Sequence, residues 1–333
     1  MPTEVTFDRT EAQWLHDAHG LRIIANFEIK EGHGRPVCTG RLFGNDGDIF
    51  LKKISADRLP LPKRGEWIVK NAGGISVASG DYGTLIESYC GSRALIPPAA
   101  DPPTPRPILI SRGKSISTTR FNHTILHAFI PQVMALRDEI VLHTTSVVID
   151  GHCFLFAGDS GMGKSTLAAG FASRGHVIYS EDIARIEFGE TGAPRAYPSY
   201  PGVRLRGNSF LLPKDKRTNA QGRFGLPKFR VNFANAVSAE PPLPVRAIFF
   251  LRRGRTVGPR ITRLSPMQAI KPYLKASFLL ALPKATRSRV AFAQAVKLAS
   301  AIPAFELRYL RSAKHFDALL QRILVFAAGC GAK

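Results

Sequence analysis

Cysteine is scarce in this sequence, and its few copies are scattered. The 333 residues include four cysteines, and no two of them stand in C-x-x-C spacing: Cys38, Cys90, Cys153 and Cys330. A disulfide framework or a cysteine-bound zinc ion requires paired or closely spaced copies. The sequence therefore argues against both kinds of structure.

Long apolar runs are missing too. The longest ones, such as residues 247–251 and 278–282, fall far short of the about 20 residues that cross a bilayer as a helix. The N-terminal stretch does not combine a basic start, an apolar run and a small-residue cleavage site, as secretory signals do. Since 44% of the residues are hydrophobic, which is enough for a sizeable core, we expect a soluble, cytoplasmic protein.

Acidic residues are almost absent from the C-terminal part of the chain. The whole sequence has 46 basic and 25 acidic residues, a net charge of +21. After residue 203 there are 25 basic and only four acidic residues, which leaves 21 of each before that point. A one-sided excess of this kind is typical of a protein with an anionic partner. A solvated basic face that aids solubility is the alternative.

One segment is rich in proline. Residues 97–107 (PPAADPPTPRP) hold six prolines, and proline lacks the backbone donor and fixes φ, which excludes a helix or a central strand. The segment is typical of a linker between domains, and a long surface loop within one domain is the alternative. We therefore expect a small domain at 1–107 and a second domain at 108–333.

The patterns on the two sides of this segment differ. Before it, short runs at 21–27, 48–51, 67–69 and 74–77 predict a small β-rich domain. After it, residues 121–137 have helical apolar spacing, with a kink or break expected at Pro131. Strands are predicted at 140–149, 153–157 and 177–180, and helices at 164–173, 267–275, 288–300 and 312–327. This order predicts an α/β domain with a parallel element in its sheet.

Residues 158–165 (GDSGMGKS) fit the phosphate-binding pattern G-x-x-x-x-G-K-[ST]. In that pattern, called a P-loop, glycines let successive N–H groups turn inward around phosphates, lysine reaches the β- and γ-phosphates, and the hydroxyl binds Mg²⁺. The predicted helix after the loop presents its positive N-terminus to the same anion. The pattern predicts that ATP or another nucleoside triphosphate binds with Mg²⁺ at Gly158, Asp159, Ser160, Gly161, Met162, Gly163, Lys164, Ser165 and Thr166.

Asp150-Gly151 stands between two apolar runs, a strong signal for a two-residue hairpin. In such a hairpin Ile149 pairs with His152, so that His143 falls opposite Gly158 at the mouth of the P-loop. The sequence thus places an imidazole near the phosphates, with either a catalytic or a structural role.

Glu181 and Asp182 follow the strand predicted at 177–180. Ligands of open α/β sheets bind at the carboxyl ends of strands. There one carboxylate can hold Mg²⁺ and the other can accept the proton of an attacking hydroxyl. A polar turn that caps the next element is the alternative. We expect Asp182 and Ser165 at the metal, and either carboxylate can be the base.

Three segments together resemble HPr serine kinase/phosphorylase and its relatives: residues 142–147 (LHTTSV), 157–168 (AGDSGMGKSTLA) and 174–182 (RGHVIYSED). Residues 200–206 (YPGVRLR), 216–217 (KR) and 242–246 (PLPVR) are similar to HPr-kinase-like proteins that are encoded beside peptide-maturation enzymes, notably in lasso-peptide clusters. The resemblance covers roughly residues 140–250.

This resemblance implies an α/β P-loop kinase domain similar to the HPr kinase catalytic domain and to phosphoenolpyruvate carboxykinase. It implies transfer of the ATP γ-phosphate to a serine hydroxyl, with His143, Lys164, Glu181 and Asp182 as catalytic residues. The family's Asp-Asp pair is Glu181-Asp182 here, and residues 203–206 (VRLR) stand where the family has Glu-x-Arg-Gly. Both departures speak against phosphorylase activity and against HPr as the substrate.

We therefore expect an Mg²⁺-dependent serine kinase of a ribosomally made peptide, such as a lasso-peptide precursor, that is acidic or offers a C-terminal carboxylate. Arg204, Arg206 and Arg246 are candidates for binding acceptor carboxylates or the transferred phosphate. One alternative is a regulatory kinase/phosphorylase of the HPr type. The other is a nucleotide-gated module whose basic half binds nucleic acid, against which the sequence has no helix-turn-helix, RNA-binding aromatic or zinc-finger pattern.

Overall fold

The computed structural model describes residues 14–29, 35–36, 48–72, 74–98, 106–199, 202–212, 214–218, 228–231, 242–255 and 258–330. The contacts divide the chain into two units. The first unit is Met1–Glu139 with Phe278–Val290, and the second is Ile140–Ser277 with Ala291–Lys333. This division lies later in the chain than residue 107, the boundary expected from the prolines. Most of the proline-rich segment lies outside the described residues.

The first unit contains a nine-stranded sheet in the order β3-β1-β2-β4-β9-β8-β7-β6-β5. Strands β2, β4 and β9 run parallel, and the other neighbours are antiparallel. The four short strands expected in this part of the sequence are present, with ends shifted by a few residues. The bounds are β1 Trp14–Ala18, β2 Leu21–Ala25, β3 Arg35–Pro36, β4 Ile49–Lys53, β5 Trp67–Ala72, β6 Ile75–Gly80, β7 Gly83–Ser88, β8 Arg93–Ile96 and β9 Ile108–Ser111.

A helix with a π-helical middle part follows this sheet in the chain. Helix α1 (Thr118–Thr124) passes through a π-helical stretch (Ile125–Phe129) into α2 (Ile130–Leu136). The wide π turn lies directly before Pro131, whose missing N–H and ring disfavour a regular α-turn. The irregularity expected near this proline therefore takes the form of a π-helical stretch, and the helix continues through it.

The second unit contains another nine-stranded sheet, with main order β10-β14-β15-β18-β12-β11-β13; β20 also pairs with β18, and β19 with β20. The pairs β12–β18 and β18–β20 are parallel, which confirms the expected α/β class. The strands are β10 Ile140–Leu142, β11 Thr144–Ile149, β12 His152–Ala157, β13 Val177–Ser180, β14 Ala184–Phe188, β15 Pro194–Ala196, β18 Leu243–Arg253, β19 Arg260–Arg263 and β20 Ala304–Tyr309. A separate pair is formed by β16 (Val203–Arg206) and β17 (Lys228–Val231).

Four helices accompany this sheet: α3 Lys164–Ala172, α4 Pro266–Ala276, α5 Lys284–Ala301 and α6 Phe316–Cys330. They match the four helices predicted from the sequence to within four residues at each end. Helix α5 begins in the segment that belongs to the first unit. None of the helices in the described part of the chain is long and apolar enough to cross a membrane.

The alternation of side chains along the central strands produces two cores, one on each face of the sheet. Phe156 and Phe249 stack at 5.4 Å between ring centroids and pack with α3 and α6 on one face. Leu155 and Ile248, their neighbours in sequence, are fully buried with α4 and α5 on the other face. Because successive residues of a strand point to opposite faces, a sheet covered by helices on both faces needs such continuous apolar strands.

Helices α3 and α6 approach each other closely at Gly170. A Cβ atom on Gly170 would lie 2.5 Å from the Phe316 ring and 2.8 Å from Leu320. This absence of a side chain lets α6 pack directly on the helix that begins at the P-loop.

Candidate functional site

Three elements meet at one edge of the second sheet. Strand β11 pairs antiparallel with both β12 and β13, so the carboxyl ends of β12 and β13 and the start of β11 lie at the same edge. The P-loop follows β12, Glu181-Asp182 follow β13, and His143 precedes β11. The topology therefore brings together the three motifs that the sequence singled out.

The hairpin register is the one predicted from Asp150-Gly151. Ile149 pairs with His152, and the ladder continues to Thr144 opposite Ala157. Asp150 and Gly151 have φ values of 48° and 73°, as the tight hairpin turn requires. His143, one residue before Thr144, thus lies at the mouth of the P-loop.

The P-loop has the backbone expected of a phosphate cradle. Gly161 and Gly163 have φ values of 83° and 104°, which a side chain would strain. Gly163 is also the residue before α3, and a Cβ atom on it would lie 2.7 Å from the Tyr309 hydroxyl oxygen. The positive end of α3 is directed at whatever anion the loop holds.

Donors from within the loop and from distant parts of the chain hold the loop in place. Lys164 Nζ donates to the Gly158 carbonyl at 2.7 Å, and Arg311 donates to the Gly161 carbonyl at 2.9 Å. The Tyr309 hydroxyl donates to the Met162 carbonyl. Burial lowers the pKa of Lys164, an effect that Asp182 opposes. The loop lysine is thus desolvated and positioned next to an acidic side chain.

The two acidic residues have different surroundings. Asp182 lines the cleft in front of the P-loop, and its φ of 61° is unusual for a residue other than glycine. Glu181 is completely buried. Its Oε1 accepts a hydrogen bond from the Arg204 backbone N–H at 2.6 Å, while Oε2 has no hydrogen-bond partner among the described residues. Burial, and next the Asp182 charge, raise the pKa of Glu181 to about 8.

His143 is held against the second of these residues. Its Nδ1 lies 2.9 Å from the Asp182 backbone oxygen, and its backbone N–H donates to Ala276 O at 2.7 Å. Burial, followed by the nearby Lys164 charge, lowers the pKa of His143. A neutral imidazole can only donate from Nδ1 to a carbonyl, which leaves Nε2 as an acceptor.

Cations surround the space in front of the loop, which we call the first cleft. It is bounded by the P-loop, by the β16–β17 pair, by residues 309–313 and by the first turn of α6. Arg204 and Arg206 of β16 lie on the same face of their strand, and Lys228 of β17 pairs with Arg206. Arg206 also donates to Ser160 Oγ at 3.1 Å. The cationic side chains that line the first cleft are Lys164, Arg204, Arg206, Lys228 and Arg311.

The structure places the remaining site candidates differently. Ser165 and Thr166 line the first cleft, while Asp159 forms an ion pair with Lys275 at 2.8 Å. Arg246 lies near the start of β18, next to the residue that pairs with Cys153 at the far end of β12 from the P-loop. Arg246 does not line the first cleft and is not brought together with the other candidates.

Sequence reasoning missed several residues of the site. Lys228, Tyr309 and Arg311 all line the first cleft, yet they lie far along the chain from the P-loop. None of them belongs to a recognisable motif. The basic excess after residue 203 was the one signal for Lys228 and Arg311, and no sequence signal pointed to Tyr309.

The first cleft contains groups that fit a nucleotide with Mg²⁺. Five cationic side chains and the N-terminus of α3 suit a triphosphate, and the Ser165 hydroxyl and the Asp182 carboxylate supply oxygen ligands. Among the described residues, no group of three His, Cys, Asp or Glu side chains could hold a metal without other ligands. Mg²⁺ with phosphates needs only one or two carboxylates, so the residues fit this ion.

Comparisons with known proteins add little to this picture. No protein-family model matches the chain, and no curated protein matches it. Among solved structures, the HPr(Ser) kinase/phosphatase from Coxiella burnetii is similar, with a TM-score of 0.31 and 14% identity, over 56% of this chain and 89% of that one. A likeness at this TM-score decides neither fold nor activity. The lasso-peptide part of the resemblance receives no support from these comparisons.

Proposed function

We propose that this protein is an Mg²⁺-dependent kinase that transfers the γ-phosphate of ATP to a hydroxyl group. The observation that carries the proposal is the grouping of Lys164, Ser165, Asp182 and His143 around one cationic cleft. A P-loop alone indicates nucleotide binding, but a carboxylate beside the loop lysine supplies what a kinase also needs, a group that takes the proton of the acceptor.

The cationic residues have the task of holding and neutralising the phosphates. Lys164 and the loop N–H groups would bind the β- and γ-phosphates, and Arg206, Lys228 and Arg311, which line the same cleft, would stabilise their charge. Ser165 would hold Mg²⁺ through its hydroxyl. One carboxylate oxygen of Asp182 would contact the ion, and the other would remain available as the base. When bound, Mg²⁺ neutralises the charge that the transferred group carries.

Of the acidic pair, Asp182 is the base in this proposal. It lines the first cleft, whereas Glu181 is buried behind it. The acceptor oxygen forms a bond to the γ-phosphorus while the bond to the β–γ bridging oxygen breaks. ADP leaves with that electron pair, and the hydroxyl proton passes to Asp182. Glu181 stays protonated near neutral pH because burial raises its pKa to about 8, so the pair does not carry two adjacent charges.

His143 has a positioning role in this scheme. Its neutral ring donates from Nδ1 to the Asp182 backbone oxygen, which holds Asp182 in its left-handed conformation. A neutral ring also avoids repelling Lys164, whose charge lowers the pKa of His143. The imidazole therefore orients the base instead of binding phosphate.

The acceptor in this proposal is a serine hydroxyl of a peptide. The sequence resemblance supports that choice, with a lasso-peptide precursor as its most specific form. A protein of the HPr type is the alternative acceptor. The basic character of the chain after residue 203 supports an acidic acceptor in either case.

The test is a transfer assay with γ-labelled ATP, Mg²⁺ and serine-containing peptides. Lys164→Ala should lower transfer by at least about 10² while circular dichroism stays unchanged, because the lysine acts on phosphate charge. Lys271→Ala is the matched control, since Lys271 is an exposed lysine that does not line the first cleft. Wild-type transfer by Lys164→Ala, or no nucleotide binding by the unaltered protein, would overturn the proposal.

A further inference from the structure

A second cavity lies on the other side of the P-loop. It is lined by the first part of the loop, by Phe250–Arg252 of β18 and by the end of α4. His143 and Ser160 line both the first cleft and the second cavity. The His143 ring therefore stands between the two spaces, beside the carboxylate assigned as the base.

The rim of the second cavity is basic and accessible. Lys275 and Arg252 line it, and their side chains are 58% and 45% exposed. Lys275 is paired with Asp159 at 2.8 Å, and Arg252 lies 3.7 Å from Glu306. Exposed pairs of this kind contribute little to stability, so a ligand carboxylate can compete for both cations.

A row of arginines continues from this rim to the edge of the sheet. Arg252 of β18 is in register with Arg308 of β20, and Arg308 is in register with Arg260 of β19. Residues in register on adjacent strands point to the same face, and all three arginines are exposed. Glu306, two residues before Arg308, is the acidic side chain among them. We call Arg252, Arg308 and Arg260 the arginine row. Lys275 lies beside Arg252 on the rim of the second cavity.

The direction of phosphoryl transfer links this row to the first cleft. Lys164, Ser165 and Thr166 line the first cleft and not the second cavity, so the phosphates belong on that side. The attacking oxygen must approach roughly in line and opposite to the leaving group. With ADP leaving into the first cleft, the acceptor approaches from the side of His143 that faces the second cavity.

We propose that the second cavity and the arginine row form the acceptor site, and that the acceptor is an acidic peptide segment. Its carboxylates lie along the arginine row, where arginine can bind them in bidentate geometry, and its serine reaches past His143 to the γ-phosphate. This inference rests on the proposed kinase function and adds the chemistry and the path of the acceptor. Same-face side chains of an extended peptide recur about every 6.6 Å, whereas cations in register on neighbouring strands are about 4.8 Å apart. Long glutamate and arginine side chains can bridge this difference.

Binding to the arginine row can be measured without turnover. The probe is a fluorescein-labelled peptide with one serine flanked by glutamates, titrated into the full protein with ADP and Mg²⁺. A peptide with glutamine in place of each glutamate is the control ligand. The double variant Arg308→Glu/Arg260→Glu should weaken binding of the acidic peptide at least tenfold, and Lys275→Glu should weaken it several-fold. Arg322→Glu, an exposed arginine of α6, should leave it unchanged.

Three readouts separate failure of this inference from failure of the kinase proposal. The KM for ATP and the slow hydrolysis of ATP by water should be the same in the double variant and the unaltered protein. A peptide carrying lysines should bind the double variant better than it binds the unaltered protein. If the double variant binds the acidic peptide as the unaltered protein does, or if neither binds it, the acceptor site is wrong while the P-loop chemistry stands. If a single-stranded oligonucleotide of equal charge binds the same arginines more tightly than the peptide, the arginine row serves nucleic acid and the inference is also wrong.

Discussion

At the scale of single residues, the division of work between Glu181 and Asp182 is the point most open to test. Asp182→Asn removes the carboxylate that lines the first cleft and should lower kcat by about 10²–10⁴. Glu181→Gln replaces a buried, protonated acid by a neutral side chain of the same shape, whose oxygen can still accept from the Arg204 N–H. It should lower kcat less than about tenfold at pH 7. Steady-state kinetics of the two variants check this order, and a larger loss for Glu181→Gln would reverse the assignment.

The contrast between these neighbours could not be read from the sequence. Adjacent residues at the end of a strand alternate in direction, so one had to face away from the ligand, but the pattern does not say which. The choice depends on Arg204, whose backbone N–H binds Glu181 from a segment more than twenty positions later. The hairpin register was predictable because Asp150-Gly151 allows one tight turn, and that register places His143 at the mouth of the P-loop.

At the scale of elements, the contact between α3 and α6 gives a stability prediction. Gly170→Ala places a methyl group within 3 Å of Phe316 and Leu320 and should destabilise the second unit by about 1–3 kcal/mol, as overpacking does. Gly329→Ala is the matched control within a helix, because a Cβ atom there meets nothing within 4 Å. That control should be neutral or stabilise by about 0.5–1 kcal/mol. Urea unfolding of both variants measures the difference, and equal midpoints would contradict the close packing.

The β16–β17 pair gives a prediction for nucleotide binding. Apolar side chains on one face of this pair pack into the core, while Arg206 and Lys228 on the other face line the first cleft. Arg206→Ala and Lys228→Ala should each raise the KM for ATP several-fold and reduce its dependence on salt, since fewer charges remain to be screened. Arg195→Ala, an exposed arginine on β15, is the control. An unchanged KM in both cleft variants would mean that the pair does not contact the phosphates.

The long strand β18 explains why Arg246 lies apart from the other site candidates. The sequence suggested Arg246 as a ligand of acceptor carboxylates or of the transferred phosphate because it belongs to the segment PLPVR that is similar to HPr-kinase-like proteins. Strand β18 extends for 11 residues, so its two ends lie far apart, and the end near the P-loop is the one with Arg252. Strand length and register arise from pairing with β12 and β20, which no local pattern records.

At the scale of the whole molecule, the two units should respond to pH in opposite directions. In the second unit, burial raises the pKa of Glu181 from 4.5 to about 8, so the folded state binds a proton that the unfolded state has lost. The contribution of Glu181 to the stability of this unit is complete below about pH 4.5 and is lost as pH rises through about 8, by on the order of a few kcal/mol. Glu181→Gln should abolish that decrease. Hydrogen exchange of the nucleotide-free protein between pH 6 and 9 measures it, and an identical slope in the variant would disprove the role of Glu181.

The first unit should lose stability in acid. His16 is fully buried, its Nε2 accepts from the Ile29 N–H at 3.2 Å, and burial lowers its pKa to about 4. Its neutral form stabilises the unit above about pH 6.5, and that contribution is lost as pH falls through about 4. His16→Gln, which keeps an acceptor but cannot gain a proton in this range, should flatten the acid limb. His152→Gln should leave it unchanged, and any equal effect of the two variants would assign the acid limb to other groups.

The contact between Gly163 and Tyr309 also bears on how this loop can change during evolution. A Cβ atom at position 163 would clash with the tyrosine hydroxyl but would lie 3.8 Å from the ring carbon that carries it. Loss of the hydroxyl through Tyr309→Phe is therefore a permissive step that removes the steric barrier to Gly163→Ala. The φ of 104° remains as a second, independent barrier that no substitution at 309 relieves. An evolutionary path that begins with Tyr309→Phe can thus remove the contact between β20 and the P-loop. Glycine nevertheless remains the only residue that position 163 accepts without backbone strain.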